Sequence, residues 1–544
     1  MMKNTLLLSL LLTCACSFDT IYANVFPEDD SFFDSDATFF DDLDTNFDDL
    51  ALPNITRSAD DIAALTAFTS VIKINNIISE SIYLKTNPIN TRPLESLPNY
   101  IIYHSDQLNK NFFFNFYLLY NETPKQNFTK HSTNLGTYLN LNTEDFLEKI
   151  DAQELGLNVP QILDLFQTGK IQERRVGILC QFFKNYGNWS FDATTPLTYQ
   201  ESNFYFSDSE RSIIQQEISK LTGTTSASVD QKFFEKLVVS DRIGFGNLKL
   251  KAGYCLISDS FLKFKAGFVC TLPTSFSFKK GLLGSDFRDP LDTPPALDLT
   301  QIYNWSQGSP TEKEMLSDFS KDFAIKAIRR LGAVVLDQSL GNWHHPILGG
   351  FFDGKIIYNN SFSCLFAGEV LYSIPKNELR FFNQIKNPAD FTTEALLAPV
   401  NQASTDPEKE AAAAVQMDFL DVNAVSSMFP TAANARIAPG VEFQFLIGPR
   451  FEAGAYLLHL GYNIWHVCHE KISNIKPIES ALYPLNIADA TLFSATQQKL
   501  FVRFDYSIIT PRHIWMIAIC ADQTLGSSGI GKDFNCALEL SIDF

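Results

Sequence analysis

Two short motifs in this 544-residue chain carry residue types that bind ligands. The segment Gly526–Lys532 has the glycine and lysine spacing of a phosphate-binding loop, but Asp533 stands where such a loop needs Ser or Thr to hold magnesium. The segment His466–His469 crowds two histidines and a cysteine, yet one cluster without a second ligand pair is a weak zinc signal. We therefore expect no enzymatic activity, no cofactor and no metal, and we expect Gly526–Lys532 to be a Gly-rich hairpin loop.

Four lysines that alternate with apolar residues offer a different chemistry. Lys249 and Lys251 alternate with leucines, and Lys263 and Lys265 lie in a similar segment a few residues later. Every second side chain of a strand points to the same face. A hairpin around Ser258-Asp259 then brings all four ammonium groups together as one basic patch, with like charges opposed across the ladder.

If the two strands belong to a barrel with a water-filled lumen, this lysine patch lies on the lining of that lumen. The patch then has two interpretations. The lysines either attract anions, as basic pore linings do, or take part in a salt-bridge network. The candidate partners are charged residues of other strands whose side chains, by the same alternation, point to the same face as the lysines. They are Arg503, Glu369, Glu442, Asp505, Glu539 and Asp543.

The last segment, Cys536–Phe544, alternates apolar and polar residues without a break. One face carries Leu538, Leu540, Ile542 and Phe544, and the other is polar, as a wall between lipid and water requires. The alternative is an edge strand of a soluble sheet, which would leave an exposed ladder. The pattern favours a membrane β-barrel.

Strand-like segments recur along the chain, and the gaps between them alternate between short and long. Such alternation is typical of a barrel with short periplasmic turns and long external loops. An even number of strands needs one more ascending strand at the start, supplied by 68–78 or 81–86, which gives about 14 strands (12–16). The predicted segments are 98–104, 111–120, 175–184, 189–199, 243–256, 261–273, 346–353, 361–374, 440–447, 451–466, 500–509, 512–522 and 534–544.

The N-terminal region predicts secretion. Residues 1–23 hold a lysine, an apolar run and a small-residue site near Ala23, which indicates a signal peptide; a lipoprotein signal at Cys14 or Cys16 is the alternative. Residues 24–66 are acidic and rich in Phe, and contribute much of the net charge of −19. We expect this segment to be disordered, or to lie in the lumen near the lysines. Residues 67–544 form the predicted barrel and its loops.

Helical spacing occurs inside the long gaps, at Ser309–Asp337, Ser209–Leu221, Val229–Val239 and Glu408–Phe419. Loops with their own apolar faces must bury them against each other or in the barrel mouth. We therefore expect a restricted pore. Beyond the signal peptide, no stretch reaches the roughly 20 apolar residues of a membrane-spanning helix.

With its signal peptide, alternating strands and terminal Phe544, the chain resembles bacterial outer-membrane β-barrel proteins. The resemblance implies an outer-membrane location, contact with membrane lipid, and recognition of Leu538, Leu540, Ile542 and Phe544 by the barrel-assembly machinery. A 14-stranded barrel with an N-terminal segment near its lumen is also similar to long-chain fatty-acid transporters. That family's Asn-Pro-Ala motif is missing at the expected mature N-terminus, so no functional residues are carried over from it.

The sequence thus predicts a channel or facilitated transporter for small solutes, without a nucleic-acid partner. An alternative class is a surface interaction or adhesion protein, in which a sealed barrel anchors large external loops. A soluble secreted multidomain protein is the third class.

Overall fold

The computed structural model describes residues 112–125, 170–213 and 238–543 with short gaps, together with Ile72, Asn75 and Arg92. The predicted signal peptide and acidic segment lie outside these residues.

The described strands form a closed antiparallel barrel. β1 pairs with β18 from Phe113↔Asp543 to Glu122↔Phe534 and with β2 on its other side, so the first and last strands close the ring. A closed ring leaves no unpaired strand edge. The 12 ring strands are β1 (Phe112–Lys125), β2 (Lys170–Tyr186), β3 (Trp189–Tyr205), β5 (Leu248–Ser258), β6 (Leu262–Leu272), β8 (Ile347–Asn359), β9 (Phe362–Ser373), β12 (Glu442–Ala453), β13 (Tyr456–Val467), β16 (Ala495–Ile509), β17 (Ile514–Ser528) and β18 (Lys532–Asp543).

Two further strands are bonded to the ring from outside, β4 (Val239–Phe245) and β7 (Phe276–Lys280). β3 pairs with β5 along its first half and with β4 along its second half. The predicted all-β antiparallel barrel of about 14 strands is therefore confirmed, with 12 strands in the ring and two outside it.

The predicted first strand at 68–78 is wrong, because Ile72 and Asn75 are both helical. The ring closes between β1 and β18 without an additional strand. The predicted strand at 98–104 and the alternative at 81–86 lie outside the described residues.

Two predicted turns are also wrong. β8 runs through 354–359, and β12 continues through Gly448, Pro449 and Arg450 to Ala453. The turn after β12 is Gly454-Ala455, and Gly454 adopts a φ of +62° that glycine tolerates best. Gly-Pro resembles a turn in sequence, but here Gly448 and Pro449 remain in register with Leu365 and Cys364.

A second, smaller sheet extends several barrel strands. Its order is β14-β11-β10-β15, and β10, β11 and β14 adjoin β9, β12 and β13 along the chain. Its strands are β10 (Lys376–Gln384), β11 (Thr431–Ala438), β14 (Lys471–Pro477) and β15 (Leu485–Asn486).

Helices occupy the long connections. They are α1 (Leu299–Gln307), α2 (Pro310–Val335), α3 (Thr393–Gln402) and α4 (Asp406–Met428), with 3-10 turns at Pro388–Phe391 and Ala488–Ala490. α2 and α4 begin with capping boxes, Ser309 with Glu312 and Thr405 with Glu408. These helices confirm the predictions at Ser309–Asp337 and Glu408–Phe419. No described helix is long and apolar enough to cross a membrane.

The remaining two helix predictions are only partly covered by the described residues. In Ser209–Leu221, residues 209–213 are helical. In Val229–Val239, Val238 is helical and Val239 already begins β4.

The barrel has two distinct ends. At one, here called the turn end, neighbouring strands are joined by Gly187-Asn188, Asp259–Phe261, 360–361, Gly454-Ala455 and 510–513. The strand ends that precede and follow the long connections 126–169, 206–238, 281–346 and 385–430 lie at the other, here called the loop end. β17 and β18 are joined at the loop end by only 529–531. Apart from that hairpin, the strands from β1 to β18 show the predicted alternation of short and long gaps, and the predicted short gap at 105–110 lies outside the described residues.

Side chains alternate between an apolar exterior and a polar lumen. On β18, Leu538 is 48% exposed to the outside, whereas Glu539 is 0% exposed. Exposed aromatic residues crowd the exterior near the turn end, as an interfacial girdle does. They include Tyr186, Trp189, Phe191, Tyr254, Tyr358, Phe451, Tyr456, Tyr506 and Trp515. A closed antiparallel barrel with this exterior spans a membrane. Its architecture is that of the β-barrels found in the bacterial outer membrane.

Candidate functional site

Lys249, Lys251 and Lys265 have carboxylate partners in the lumen. Lys249 Nζ lies 2.8 Å from Glu369 Oε2, and Lys251 donates to the other oxygen of the same carboxylate. Lys265 Nζ lies 3.1 Å from Asp353. β5 and β9 are separated in the ring by β6 and β8, so long lysine side chains reach across the wall to a single glutamate. We call Lys249, Lys251 and Glu369 the lysine–glutamate cluster.

The expectation that the four lysines oppose one another in a single patch is wrong. Lys249 pairs with Thr271 and Lys251 with Val269, whereas Lys265 faces Cys255 near the turn end. A bulge between Cys255 and Ile257 adds to this offset. The backbones of Lys249 and Lys251 therefore lie at a different height from that of Lys265, and their carboxylate partners differ.

A small cavity of about 30 Å³ lies between these ion pairs, with room for a few water molecules. Lys251 and Lys265 lie 5.5 Å and 5.8 Å from the centre of the Phe351 ring, within range of a cation–π contact. The two ammonium groups share the lining with the carboxyl groups of Asp192, Asp353 and Glu369. This lining is charged, but its positive groups are matched.

The predicted partners on β16 and β18 also meet. Arg503 is 2.8 Å from Asp505 and 2.6 Å from Glu539, and all three are buried. Ser541 donates to Glu539 at 2.6 Å. We call Arg503, Asp505 and Glu539 the arginine cluster.

The other predicted lining residues have different positions. Glu442 accepts a hydrogen bond from Trp465 Nε1 at 2.7 Å. The backbone of Asp543 pairs with Phe113 and Ile514, but its side chain is not among those described. Lys263 faces Ser258 in the ladder. A pore-lining role for these residues remains a prediction.

An apolar cluster lines the lumen at mid-height, and the sequence analysis missed it. Its members point inward from β1, β2, β12, β16, β17 and β18, which follow one another around the ring apart from the intervening β13. We call this cluster the waist. It consists of Tyr117, Leu119, Leu179, Leu446, Phe501, Cys520 and Ala537. The sequence does carry a signal for the waist, because Leu446 and Phe501 are apolar residues at inward-pointing positions of strand faces that are otherwise polar.

A third ionic cluster lies toward the loop end. Lys499 Nζ is 3.0 Å from Asp522 and 2.8 Å from Asp533, and Gln497 donates to Asp533 at 2.8 Å. Asp533, which argued against a phosphate-binding loop, thus has a lumenal partner. We call Gln497, Lys499, Asp522 and Asp533 the outer cluster.

Arg92 adjoins the outer cluster, although it precedes the barrel strands in sequence. Its guanidinium donates to Asn463 at 2.9 Å and to Gln497 at 3.4 Å, and lies 5.9 Å from the Trp465 ring centre. The Arg92 carbonyl accepts from Arg175 at 2.6 Å. No pattern in the sequence distinguished Arg92, because it lies outside every predicted strand and helix.

The two motifs that resemble ligand-binding sites, His466–His469 and Gly526–Lys532, have structural explanations. His466 Nδ1 lies 2.8 Å from Thr496 Oγ1, and Cys468 Sγ lies 3.8 Å from His466 Nε2. The described residues include no group of three or more His, Cys, Asp or Glu placed to hold a metal ion. Gly526–Lys532 lies at the hairpin between β17 and β18, as predicted.

Leu538 and Leu540 point outward, as the predicted assembly signal requires, and Phe544 is not described. Recognition of these residues by the assembly machinery stays a prediction.

Comparison with known proteins gives structural neighbours only. No family model matches the chain, and no curated protein matches it. An outer-membrane channel of Pseudomonas putida F1 aligns with 9% identity over 80% of this chain and 96% of its own, with a TM-score of 0.37. The toluene transporter of Ralstonia pickettii aligns with 9% identity over 80% of this chain and 90% of its own, with a TM-score of 0.31. The β domain of a Bordetella autotransporter aligns with 6% identity over 79% of this chain and 99% of its own, with a TM-score of 0.26. At such TM-scores the likeness carries no argument, so the fold assignment rests on the strand pairing.

Proposed function

We propose that this protein is an outer-membrane transport barrel that passes small polar solutes through a lumen restricted by its own side chains. The observation that carries the proposal is the charged lumen around the cavity beside Lys251 and Lys265. Buried ion pairs often stabilise a fold no more than apolar residues of similar volume. A barrel that only anchors loops therefore has no need of so many of them.

The matched charges bear on selectivity. Lys249 and Lys251 share Glu369, and Lys265 is paired with Asp353. Anion attraction requires unmatched positive charge along the path. We therefore expect weak ion selectivity and polar, largely uncharged solutes.

Single-channel recording in planar bilayers tests this proposal. The wild-type chain should give small steps with similar cation and anion permeability. Replacing Lys249, Lys251, Lys263 and Lys265 by Gln should turn the pore cation-selective, because Glu369 and Asp353 lose their partners. A matched control adds Glu369→Gln and Asp353→Asn, which should restore weak selectivity. Silence from every form, each still a heat-modifiable barrel on gels, would overturn the proposal.

A sealed anchor for surface interaction is the second candidate. The waist supports it, since Tyr117, Leu446 and Cys520 are at most 1% exposed. The two candidates differ in one measurable property: widening the waist should increase conductance in a transporter and leave an anchor silent.

A further inference from the structure

The smaller sheet continues the ladders of the ring without a change of register. Glu442 pairs with Val467 between β12 and β13. Further along the same two chain segments, Ala438 pairs with Lys471 between β11 and β14 in the same register. The pairing of β9 with β12 continues in the same way into the pairing of β10 with β11. Because side chains alternate along a continuous ladder, the lumenal side of the wall can be followed beyond the rim at the loop end.

The two faces of this extension differ in burial and in charge. On one face, Ile437 and Phe382 are buried, and Ile472 packs against them. The opposite face continues the lumenal side of the wall and is exposed, apart from its far end, where Phe381 packs with Val335 of α2. Its exposed side chains are Asn377, Asn434, Arg436, Lys471, Ser473 and Lys476. We call these six residues the cationic face, since β10, β11 and β14 place three cations and no Asp or Glu on it.

A bulge in β14 brings the third cation onto this face. Strand alternation alone would put Lys476 on the side opposite to Ser473. The register shifts between Arg436 and Asn434, where β14 has one residue more than β11. Asn474 lies in this bulge with a φ of +49°, a conformation that Asn tolerates. Ser473 therefore pairs with Arg436, and Lys476 pairs with Asn434, on the same face.

The charge of this face differs from that of the lumen. In the lumen, Lys249, Lys251 and Arg503 each lie beside a carboxylate. On the cationic face, like charges lie on neighbouring strands, which destabilises a sheet. The chain has 62 acidic and 43 basic residues, so an exposed face with three cations and no acid is contrary to its composition. This imbalance indicates a ligand of opposite charge.

The chemistry of the six residues selects among anionic ligands. The three cations are spread over two strands of an open surface, which suits a polymer with repeated negative charges. None of the six is aromatic, whereas binding of single-stranded nucleic acid uses aromatic side chains for base stacking. The face continues the lumenal side, so it does not meet membrane lipid. Its two asparagines and its serine can bond to sugar hydroxyl groups.

We propose that the cationic face binds an acidic polysaccharide outside the cell. The loop end of an outer-membrane barrel faces the cell exterior, where such polymers are accessible. Arg436 is central on the face and can hold a carboxylate through two parallel hydrogen bonds. Lys471 and Lys476 contact further charges along the polymer. Binding of this kind does not require an open lumen, so it is independent of solute transport.

Binding of polygalacturonate to the whole chain in lipid nanodiscs tests the proposal. The wild type should bind this polymer, more weakly as salt is raised, and should not bind uncharged dextran. Replacing Arg436, Lys471 and Lys476 by Gln should weaken binding about tenfold or more, since each exposed ion pair contributes up to about fivefold. The matched control removes three exposed charges elsewhere, as Lys279→Gln/Lys280→Gln/Lys409→Gln, and should bind like the wild type.

Several outcomes of this experiment would overturn the proposal. They are no binding by the wild type, equal binding of dextran, and tighter binding of single-stranded DNA than of polygalacturonate. An equal loss of binding in both variants would attribute the binding to net charge instead of to this face. Each form must migrate as a heat-modifiable barrel on gels, which excludes misfolding as the cause of a loss.

Lysine acetylation of the wild-type protein gives a second test that needs no variant. Saturating polygalacturonate should slow the acetylation of Lys471 and Lys476 severalfold, as measured by mass spectrometry. Lys279, an exposed lysine on β7, should react at the same rate with and without the polymer. Unchanged rates at Lys471 and Lys476 would overturn the assignment of the polymer to this face.

Discussion

The waist and the lysine–glutamate cluster occupy the same lumen but restrict it by different means. The waist is apolar, and its residues need only volume and inward parity to pack against one another on the lumen side. In the lysine–glutamate cluster, one carboxylate must lie within reach of two ammonium groups from another strand. Loss of one waist residue leaves a gap, whereas loss of Glu369 removes the carboxylate that two buried ammonium groups share. Changes in the waist should therefore alter how far the lumen is closed, whereas changes in the lysine–glutamate cluster should alter its charge balance.

The largest expected effect comes from unbalancing the lysine–glutamate cluster. Glu369→Ala removes the carboxylate that the buried Lys249 and Lys251 share, and breaking a buried ion pair typically costs about 3–5 kcal/mol. Urea unfolding in lipid vesicles measures this loss. The triple variant with Gln at all three positions is the matched control and should recover most of the stability. If Glu369→Ala is as stable as the triple variant, the ion pairs do not have the role assigned to them.

A smaller loss of stability, but a gain of conductance, is expected from the waist. Leu446→Ala removes a side chain that is 1% exposed and should cost about 2–4 kcal/mol through the cavity it leaves. The same cavity should enlarge single-channel steps. Leu458→Ala, which faces lipid on β13, is the control and should leave the steps unchanged. Equal conductance in the two variants would show that the waist does not limit flow.

Arg92 tests whether a residue that joins β2, β13 and β16 contributes to closure of the lumen. Arg92→Gln keeps a polar side chain but loses part of the contacts to Asn463 and Gln497, at a cost of about 1–2 kcal/mol. We expect longer or more frequent openings in single-channel records. Arg436→Gln, on the exposed face of β11, should change neither stability nor gating. Identical gating in both variants would limit Arg92 to a structural role.

The smallest effect concerns the helical layer at the loop end. Burial raises the pKa of Asp421 to about 6, and its carboxylate accepts from the Leu299 amide at 2.8 Å. Because the folded pKa lies above the unfolded value of 3.8, the protonated form stabilises this layer, and that stability is lost as pH rises from about 4 through 6.

Asp421→Asn keeps an oxygen that can accept from Leu299 but does not titrate. Hydrogen exchange at the Leu299 amide should therefore speed up relative to the intrinsic rate as pH rises from about 4 to 6 in the wild type and level off above pH 6, with no such step in the variant. A step of equal size in both would assign the pH dependence to another group.

The fold could be predicted largely from side-chain parity, because lipid and water impose alternation on each strand. This is why Leu538 and Glu539 were correctly assigned to opposite faces. Turn positions were less certain, since Gly448-Pro449 resembles a turn while ring pairing keeps it in β12. The helical state of Ile72 depends on contacts with α1, α3 and α4, which local sequence does not encode.

The lumenal site could be predicted only in part. Parity placed Lys249, Lys251 and Glu369 on the inner face, but strand register decides which charges meet, and the bulge at Cys255 changed that register. Arg92 could not be predicted, because its lumenal position depends on tertiary contacts with β2, β13 and β16.

Solute flux through the waist tests the central claim most directly. Vesicles containing the whole chain would be placed in sugars of increasing size, and osmotic swelling would be compared between wild type and the Leu446→Ala/Phe501→Ala variant. We predict slow entry of only the smallest sugars in wild type, and faster entry with a larger size limit in the variant. No swelling in either form, with both inserted as folded barrels, would contradict transport through this lumen.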